Sequence, residues 1–542
     1  MKRWSGVIAL LALGCVAQPG SAADLAMRPV TKAPPPAVSD WSGFYIGGDI
    51  GFRSDRTDVT TDSLAFGGFP TFSTGTATSQ PMDGTGVRGG IYGGYNWQFA
   101  PTWVAGVEAD VGWARPSATL NGVFLPGNAF LMPGDPSASL TARSTWDAGI
   151  RGRLGYLVTP ATMVYVTGGA AWLHLETSAT CSVLICGTPV VSFSNSSTPV
   201  GWTVGGGVET RLWGNWLARA EYRYADFGSV TFSDVSPLGV TATYEDKVRT
   251  HTALFGLAYK FGPGWTPAGP AAPAFPTKAP AIAPVNWSGA YAGLDLGLRS
   301  SMTNATENGV TINGVAAPCV FAGFVPPRSC VSSEPMNGSA FRLGGHLGYD
   351  WQISPQWLVG IEGDAGWADR TVTFHGSALP GNINGFLFPI GSFSGLQGDS
   401  FSVKSTWDAS LRGRVGVLAT PLLLIYATGG AAWLHFESTS SCGLSPVGDC
   451  FTTMSPLSIT NATTKLGWTL GGGGETRLWS NWFGRAEYRY ADYGNVSYVN
   501  TVFNAGFGGF GPFIYNDTYS LHMRTHTLNF GLSYKFWDGP RT

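Results

Sequence analysis

The sequence predicts an all-β chain made of two tandem eight-stranded antiparallel up-and-down transmembrane barrels. Three observations carry that prediction. The chain is poor in charge but rich in glycine and aromatics, it repeats itself once over nearly its whole length, and the two copies differ in length only at alternate connections. One sixteen-stranded barrel is the alternative closure of the same strands.

Charged residues make up 12% of the 542 positions, about half of the roughly 25% usual in soluble domains. Glycine supplies 76 residues and aromatics 13%, with 21 Trp. Low charge with abundant aromatics argues against disorder, and a net charge of −2 leaves no basic footprint for nucleic acid. Mean hydropathy is only +0.07, and after the first 23 residues no stretch reaches the length of an apolar helical span. A membrane barrel fits, because its alternating strands escape hydropathy averaging.

At the N-terminus, Lys2 and Arg3 precede an apolar stretch from Val7 to Val16, followed by small residues up to Ala23. This reads as a signal peptide over 1–23, since the apolar stretch is too short to span. Leu13-Gly14-Cys15 resembles the end of a lipidation motif, but Ala12 stands where such motifs prefer leucine. Beyond the leader, Cys181 and Cys186, Cys319 and Cys330, and Cys442 and Cys450 form three local pairs. Disulfides closed in an oxidising compartment are the expectation. Zinc is the rival, although no histidine lies near any pair at ligand spacing.

The repeat is explicit. Trp41-Ser-Gly-Phe-Tyr returns as Trp287-Ser-Gly-Ala-Tyr, Ser144-Thr-Trp-Asp-Ala as Ser405-Thr-Trp-Asp-Ala, and Arg219-Ala-Glu-Tyr-Arg-Tyr as Arg485-Ala-Glu-Tyr-Arg-Tyr. The offset between copies is 246 at Trp41/Trp287, 254 at Trp97/Trp351 and Trp113/Trp367, and 261 at Trp146/Trp407 and Trp172/Trp433. It is 266 at Trp202/Trp468 and Tyr224/Tyr490, then 275 at His251/His526. Four connections therefore drift, and the three between them are fixed. The fixed ones are Ala100-Pro101, Thr159-Pro160 and Gly214-Asn215, matched by Ser354-Pro355, Thr420-Pro421 and Ser480-Asn481. Membrane barrels have short periplasmic turns and longer outer loops, so the pattern predicts both strand number and orientation. It places the cysteine pairs in the outer loops.

Strands are expected near 41–53, 86–98, 102–115, 144–158, 163–176, 201–213, 216–227 and 249–261. The second set falls near 287–299, 340–353, 357–370, 405–419, 423–437, 466–479, 482–493 and 524–536. The domains are then a Pro-rich linker over 24–40, a barrel over 41–261, a linker over 262–286, a barrel over 287–536 and a tail over 537–542. The central linker holds seven prolines in 25 residues and should be an extended, semi-rigid spacer.

Side chains alternate across a strand. In the last strand of the first copy Ala253, Phe255, Leu257, Tyr259 and Phe261 share one face, against Thr250, Thr252, Leu254, Gly256, Ala258 and Lys260. The third strand sets Trp103, Val107, Val111 and Trp113 against Glu108 and Asp110. Tyr and Trp at strand ends read as interfacial girdles.

The interior face collects charge. The expected set in the first copy is Asp49, Arg53, Arg88, Glu108, Asp110, Asp147, Arg151, Arg153, Glu176, Glu209, Arg211, Arg219, Glu221, Arg223 and Lys260. The second copy carries the same residue types at Asp295, Arg299, Arg342, Glu362, Asp364, Asp408, Arg412, Arg414, Glu437, Glu475, Arg477, Arg485, Glu487, Arg489 and Lys535. An eight-stranded barrel is just wide enough to be filled by side chains, and buried charges must be paired. A salt-bridged plug is favoured over a conductive or catalytic lining. His174 and His435 are expected inside, beside Glu176 and Glu437, as hydrogen-bonded residues: no nucleophile–base set accompanies them. No catalytic residue, metal site or cofactor is expected. Gly168-Gly169 and Gly205-Gly206-Gly207 lack the strand–turn–helix setting of phosphate loops.

Ala22-Ala23-Asp24-Leu25, Trp41-Ser-Gly-Phe-Tyr-Ile-Gly, Arg219-Ala-Glu-Tyr-Arg-Tyr and Leu257-Ala-Tyr-Lys-Phe261 resemble the small outer-membrane barrel family of alphaproteobacteria. Its members are called porin-family or outer-membrane immunogenic proteins and are related in fold to the OmpA transmembrane domain. The second copy repeats the resemblance at Trp287-Ser-Gly-Ala-Tyr-Ala-Gly, Arg485-Ala-Glu-Tyr-Arg-Tyr and Leu532-Ser-Tyr-Lys-Phe536. The resemblance implies a Gram-negative outer membrane location, structural and surface roles, and hemin binding or immune exposure for some members. Two departures stand out: the family usually has one barrel, and its chains usually end on the final Phe read as the insertion signal. Here Phe536 is followed by six residues.

The expected partners are outer-membrane lipid and, during assembly, periplasmic chaperones and the insertion machinery. The leading function is a non-enzymatic envelope protein. The alternatives are a porin-like channel, and capture of a hemin-like or host-surface ligand by loop aromatics such as Phe510 and Phe513.

Overall fold

A computed structural model describes residues 40–66, 69–72, 79–121, 139–181, 191–235, 240–262, 287–316, 332–375, 400–442, 457–504 and 513–536. The leader, the central linker and Phe510 lie outside these residues, as do the side chains of all six paired cysteines and Phe513.

The first copy contains β1 (Gly43–Phe66), β2 (Phe69–Phe72), β3 (Ser79–Ala100), β4 (Trp103–Trp113), β5 (Ser117–Asn121) and β6 (Ser139–Thr159). It continues with β7 (Thr162–Cys181), β8 (Val191–Ser197), β9 (Val200–Arg211), β10 (Trp216–Val235) and β11 (Val240–Lys260). The second contains β12 (Gly289–Ile312), β13 (Val315–Ala316), β14 (Ser332–Pro335), β15 (Gly338–Gln352) and β16 (Trp357–His375). It ends with β17 (Ser400–Thr420), β18 (Leu423–Cys442), β19 (Leu457–Trp479), β20 (Trp482–Asn504) and β21 (Phe513–Lys535).

Each copy closes on itself. The first ring runs β1, β3, β4, β6, β7, β9, β10, β11 and back to β1; the second runs β12, β15 through β21 and back to β12. All pairs are antiparallel, and the rings shut at Tyr45↔Lys260 and Tyr291↔Lys535. Among the described strands none pairs across copies, so the structure is two eight-stranded barrels rather than one of sixteen.

The outward face carries an apolar band. Phe44, Ile46 and Ile50 on β1, Val87, Ile91 and Trp97 on β3, and Ile150 and Leu154 on β6 are all exposed. Trp103, Tyr156, Tyr259 and Phe261 edge the band on the turn side, with Trp113 and Trp202 at the other edge. This spacing of apolar wall and aromatic rims suits a bilayer of hydrocarbon depth. Beyond the outer rim the outward face turns charged at Arg56, Asp58, Arg143, Glu176, Asp226 and Arg249.

The strands run past the membrane further than alternation suggested. β1 has 24 residues and β21 has 23, because the sheet continues upward with its alternation inverted: apolar residues such as Val59, Leu521 and Met523 are buried inside, and polar ones such as Arg56 and Asp58 face out. Proline interrupts the extension in the first copy. Pro116 separates β4 from β5 and Pro199 separates β8 from β9, since proline cannot donate to the ladder. The equivalent positions are Arg370 and Lys465, inside the unbroken β16 and β19.

Candidate functional site: the charged lumens

The lumen of the first barrel is organised around Arg88, which is fully buried. Its guanidinium donates to Asp49 at 2.7 Å, Asp110 at 2.8 Å and Asp147 at 2.7 Å, so four strands meet at one cation. Gly112 faces it, and a Cβ there would lie 2.2 Å from Arg88 Cζ. The small residue makes the seat. Arg219 links Asp49 at 3.2 Å to Glu108 at 2.6 Å. Arg151 joins Glu108 and Asp110 at 2.7 and 3.0 Å, and Arg223 joins Asp110 and Glu221 at 2.8 and 3.0 Å. Arg153 reaches Glu209 at 3.2 Å and donates to Tyr45, whose hydroxyl donates to Glu108 at 2.9 Å. Arg53 binds Asp55 and Asp147 at the outer end.

The second lumen repeats this plan. Arg342, also fully buried, holds Asp364 at 2.8 Å and Asp408 at 2.6 Å, and Gly366 makes its seat. Arg299 supports Asp408 at 2.7 Å. Arg412 joins Glu362 and Glu487 at 2.5 and 2.8 Å, Arg489 holds Asp364, and Arg414 holds Glu475 at 3.1 Å. Arg485 links Asp295 at 3.1 Å to Glu362 at 2.6 Å. Networks of this kind satisfy charges that would otherwise be costly to bury.

Two pairs of residues are not where the sequence reading put them. Glu176, Glu437, His174 and His435 lie on the outward face, above the membrane band. β7 keeps strict alternation, with Leu173, Leu175 and Thr177 buried inside, so His174 and Glu176 share the face of Trp172. His174 stacks on Trp146 with centroids 5.7 Å apart and bonds Thr198, while Glu176 pairs with Arg143. His435 stacks on Trp407 at 5.6 Å and bonds Thr464; Glu437 stands beside it. The phase fixed by the neighbouring tryptophan, not the charge of the side chain, decides which face these residues take.

Other lumen residues escaped the sequence reading. Asp55 takes the place left by Glu176 in the first barrel's charge balance, and Asp350 does so in the second. Asp350 accepts from Lys535 Nζ at 3.0 Å, and that ammonium also donates to the Trp287 carbonyl at 2.7 Å. In the first copy the position of Asp350 is Asn96. There Lys260 is buried, and Arg211 stacks over Trp41 at 4.7 Å. Arg477 instead turns outward to the Ser480 carbonyl. His346, buried, bridges Asp295 and Ser533 at 2.8 Å each; its counterpart Tyr92 lies under Arg219 at 3.3 Å. Phe536 ends the last strand, its amide donating to the Ala290 carbonyl at 2.9 Å. Among the described residues no group of three His, Cys, Asp or Glu is placed to hold a metal ion.

Comparison with known proteins agrees with this architecture. The family model described as the outer membrane protein β-barrel domain matches twice, over residues 8–261 and 270–536. A 31 kDa outer-membrane immunogenic protein of Brucella melitensis is 30% identical over 233 residues, covering 43% of this chain and 88% of its own length. A 22 kDa outer membrane protein of Rhizobium leguminosarum is 26% identical over 42% of this chain and 82% of its own length. Among solved structures, the outer membrane protein OprG of Pseudomonas aeruginosa aligns with 41% of this chain and 96% of its own, at 15% identity and a TM-score of 0.28.

Proposed function

The chain belongs to the outer membrane β-barrel family, present here in tandem, and from that premise we propose that it is a non-conducting, non-catalytic envelope protein. Its two barrels anchor long loops at the cell surface, and their lumens are shut by ion-paired side chains. The observation that carries this reading is the ionic network: Arg88 and Arg342 have no exposure and hold carboxylates of neighbouring strands, while Arg219–Glu108 and Arg485–Glu362, each at 2.6 Å, tie opposite walls across the lumen. A channel needs water along its axis, and in an eight-stranded barrel the side chains occupy that space. The surface role draws support from the relatives, which are named as immunogenic outer-membrane proteins.

Planar-bilayer recording on the purified full chain tests the reading. A baseline no different from the empty membrane is expected in both low and high salt. Large, stable steps that scale with salt would overturn it in favour of a channel.

A further inference from the structure

The two barrels touch through their outward faces, just beyond the outer aromatic rim, and the contacts obey a symmetry. Ser54 Oγ lies 2.7 Å from Ser339 Oγ, and Thr85 Oγ1 lies 2.9 Å from Ser300 Oγ. By the repeat offsets Ser54 corresponds to Ser300 and Thr85 to Ser339, so each contact maps onto the other when the copies are exchanged. Asp83 and Asn337 are also equivalent, within Pro81-Met-Asp-Gly and Pro335-Met-Asn-Gly. They meet each other, with Asn337 Nδ2 donating to the Asp83 carbonyl at 3.0 Å. A contact between equivalent positions marks a twofold axis. We propose that this seam is an isologous interface: the β1–β3 face of one repeat unit is shaped to receive the same face of a second copy, and this chain supplies that copy in cis.

An isologous interface requires that residue i touch j while j touches i, which chance packing of two barrels would not produce. The chemistry supports a built interface. Ser54, Ser300 and Asp83 are each 4% exposed although they project away from the lumens. On a lone barrel these groups would face lipid headgroups or water; here hydroxyls pair with hydroxyls, meeting the requirement that buried polar groups be bonded. Next to them Phe52 stacks on Tyr488 with centroids 4.2 Å apart and planes 11° from parallel. Gln80 closes the open edge of β16, its Oε1 accepting from the His375 amide at 3.1 Å.

The seam has also diverged since duplication. Arg370 pairs with Asp83 at 3.1 Å, whereas the exchanged positions are Pro116 and Asn337. One half of the twofold thus carries an ion pair that the other cannot make.

The test uses the full chain with a protease site placed in the 262–286 linker. After cleavage in mild detergent the two halves of the otherwise unaltered chain should stay together; halves that separate at once would overturn the proposal. Two double variants then probe the symmetry, Ser54→Cys with Ser339→Cys and Thr85→Cys with Ser300→Cys. Both should leave most of the cleaved chains joined on a non-reducing denaturing gel, because in each pair the two side chains already meet end to end. A control pair on lipid-facing walls, Val166→Cys with Ala427→Cys, should not join them. Only molecules with the heat-modifiable migration of folded barrels are counted. If one pair joins and the other does not, the contact is not twofold and the inference fails; equal joining by the control pair defeats it too.

Discussion

The two barrels carry the same fifteen charged types yet solve their lumens differently. In the first, the extra carboxylate is Asp55, at the outer end beside Arg53. In the second it is Asp350, at the periplasmic end beside Lys535. Around the shared hub the first barrel uses an aromatic, Tyr92 under Arg219, and the second uses His346 on Asp295. Leu254 and Ala258, on the inward face of β11, become Asn529 and Ser533 on β21 in the second. The arginine framework is thus the fixed part of the unit. The groups that complete its hydrogen bonding are exchangeable, provided that charge and volume balance locally.

Removing the hub breaks the comparison most severely. Arg88→Ala should cost the first barrel about 3–5 kcal/mol, because it strands buried carboxylates. Arg342→Ala should cost the second barrel somewhat less. Arg88 serves Asp49 as well as Asp110 and Asp147, whereas the equivalent Asp295 rests on His346 and Arg485. Urea unfolding followed by heat-modifiable migration and tryptophan fluorescence measures both; a larger loss for Arg342→Ala would refute the division of labour. The periplasmic ends come next. Asp350→Asn should weaken the second barrel by about 2–3 kcal/mol, since a buried ammonium loses its charged partner but keeps the Trp287 carbonyl. In a double-mutant cycle with Lys535→Met most of that loss should appear as coupling. The matching cycle on Asn96 and Lys260 should show little.

The third contrast concerns pH. Asp246, above the outer rim on β11, is fully buried and bonded to Thr177 at 3.0 Å; the same position in the second barrel is Leu521. Burial pushes the Asp246 carboxyl up to about 7. A carboxyl with a raised folded-state value binds its proton more tightly folded than unfolded. Its stabilisation is complete below about pH 4 and is lost as pH rises through about 7. Between pH 5 and 7 the first barrel should lose about 2 kcal/mol that Asp246→Asn does not lose. Parallel titrations in which the variant keeps the same slope would assign the pH dependence elsewhere.

Strand number and turn positions were legible because length differences between the copies accumulate only in the long connections. The offset between copies therefore steps at every second connection. The inward charges were legible wherever alternation was anchored by a lipid-facing aromatic, as at Glu108 between Val107 and Ala109. They were misread at Glu176, where the charge was trusted over the phase of Trp172. Who pairs with whom was not legible: Arg219 finds Glu108 on the opposite wall, 111 residues away, and nothing local encodes that. The upper strands were hidden because above the bilayer the alternation inverts: apolar residues such as Leu173, Val248 and Leu521 turn inward, and no lipid-facing apolar band marks the outer face. The seam between the barrels was hidden for a related reason. Ser54 and Thr85 look like ordinary polar residues at a strand end until the partner surface is seen.

The smallest contrast lies at one turn. β9 and β10 join through Gly214, with φ at +51°, and the equivalent residue between β19 and β20 is Ser480, with φ at +43°. A left-handed conformation is free of Cβ strain for glycine but not for serine. The second barrel therefore holds about 1 kcal/mol of backbone strain that the first lacks. Its persistence is explained by what the turn does: the Ser480 carbonyl accepts from Arg477 Nε at 2.6 Å, and the Asn481 side chain donates to the Lys535 carbonyl at 3.0 Å. Ser480→Gly should keep both bonds and raise stability by about 0.5–1 kcal/mol, less the entropy glycine adds to the unfolded chain. Gly214→Ser should lower the first barrel's stability by a similar amount. The paired substitutions thus separate backbone strain, which changes sign between them, from any general effect of altering a periplasmic turn, which would not. If both variants shifted the urea midpoint in the same direction, the difference between the turns would have to come from the arginine that only Ser480 engages.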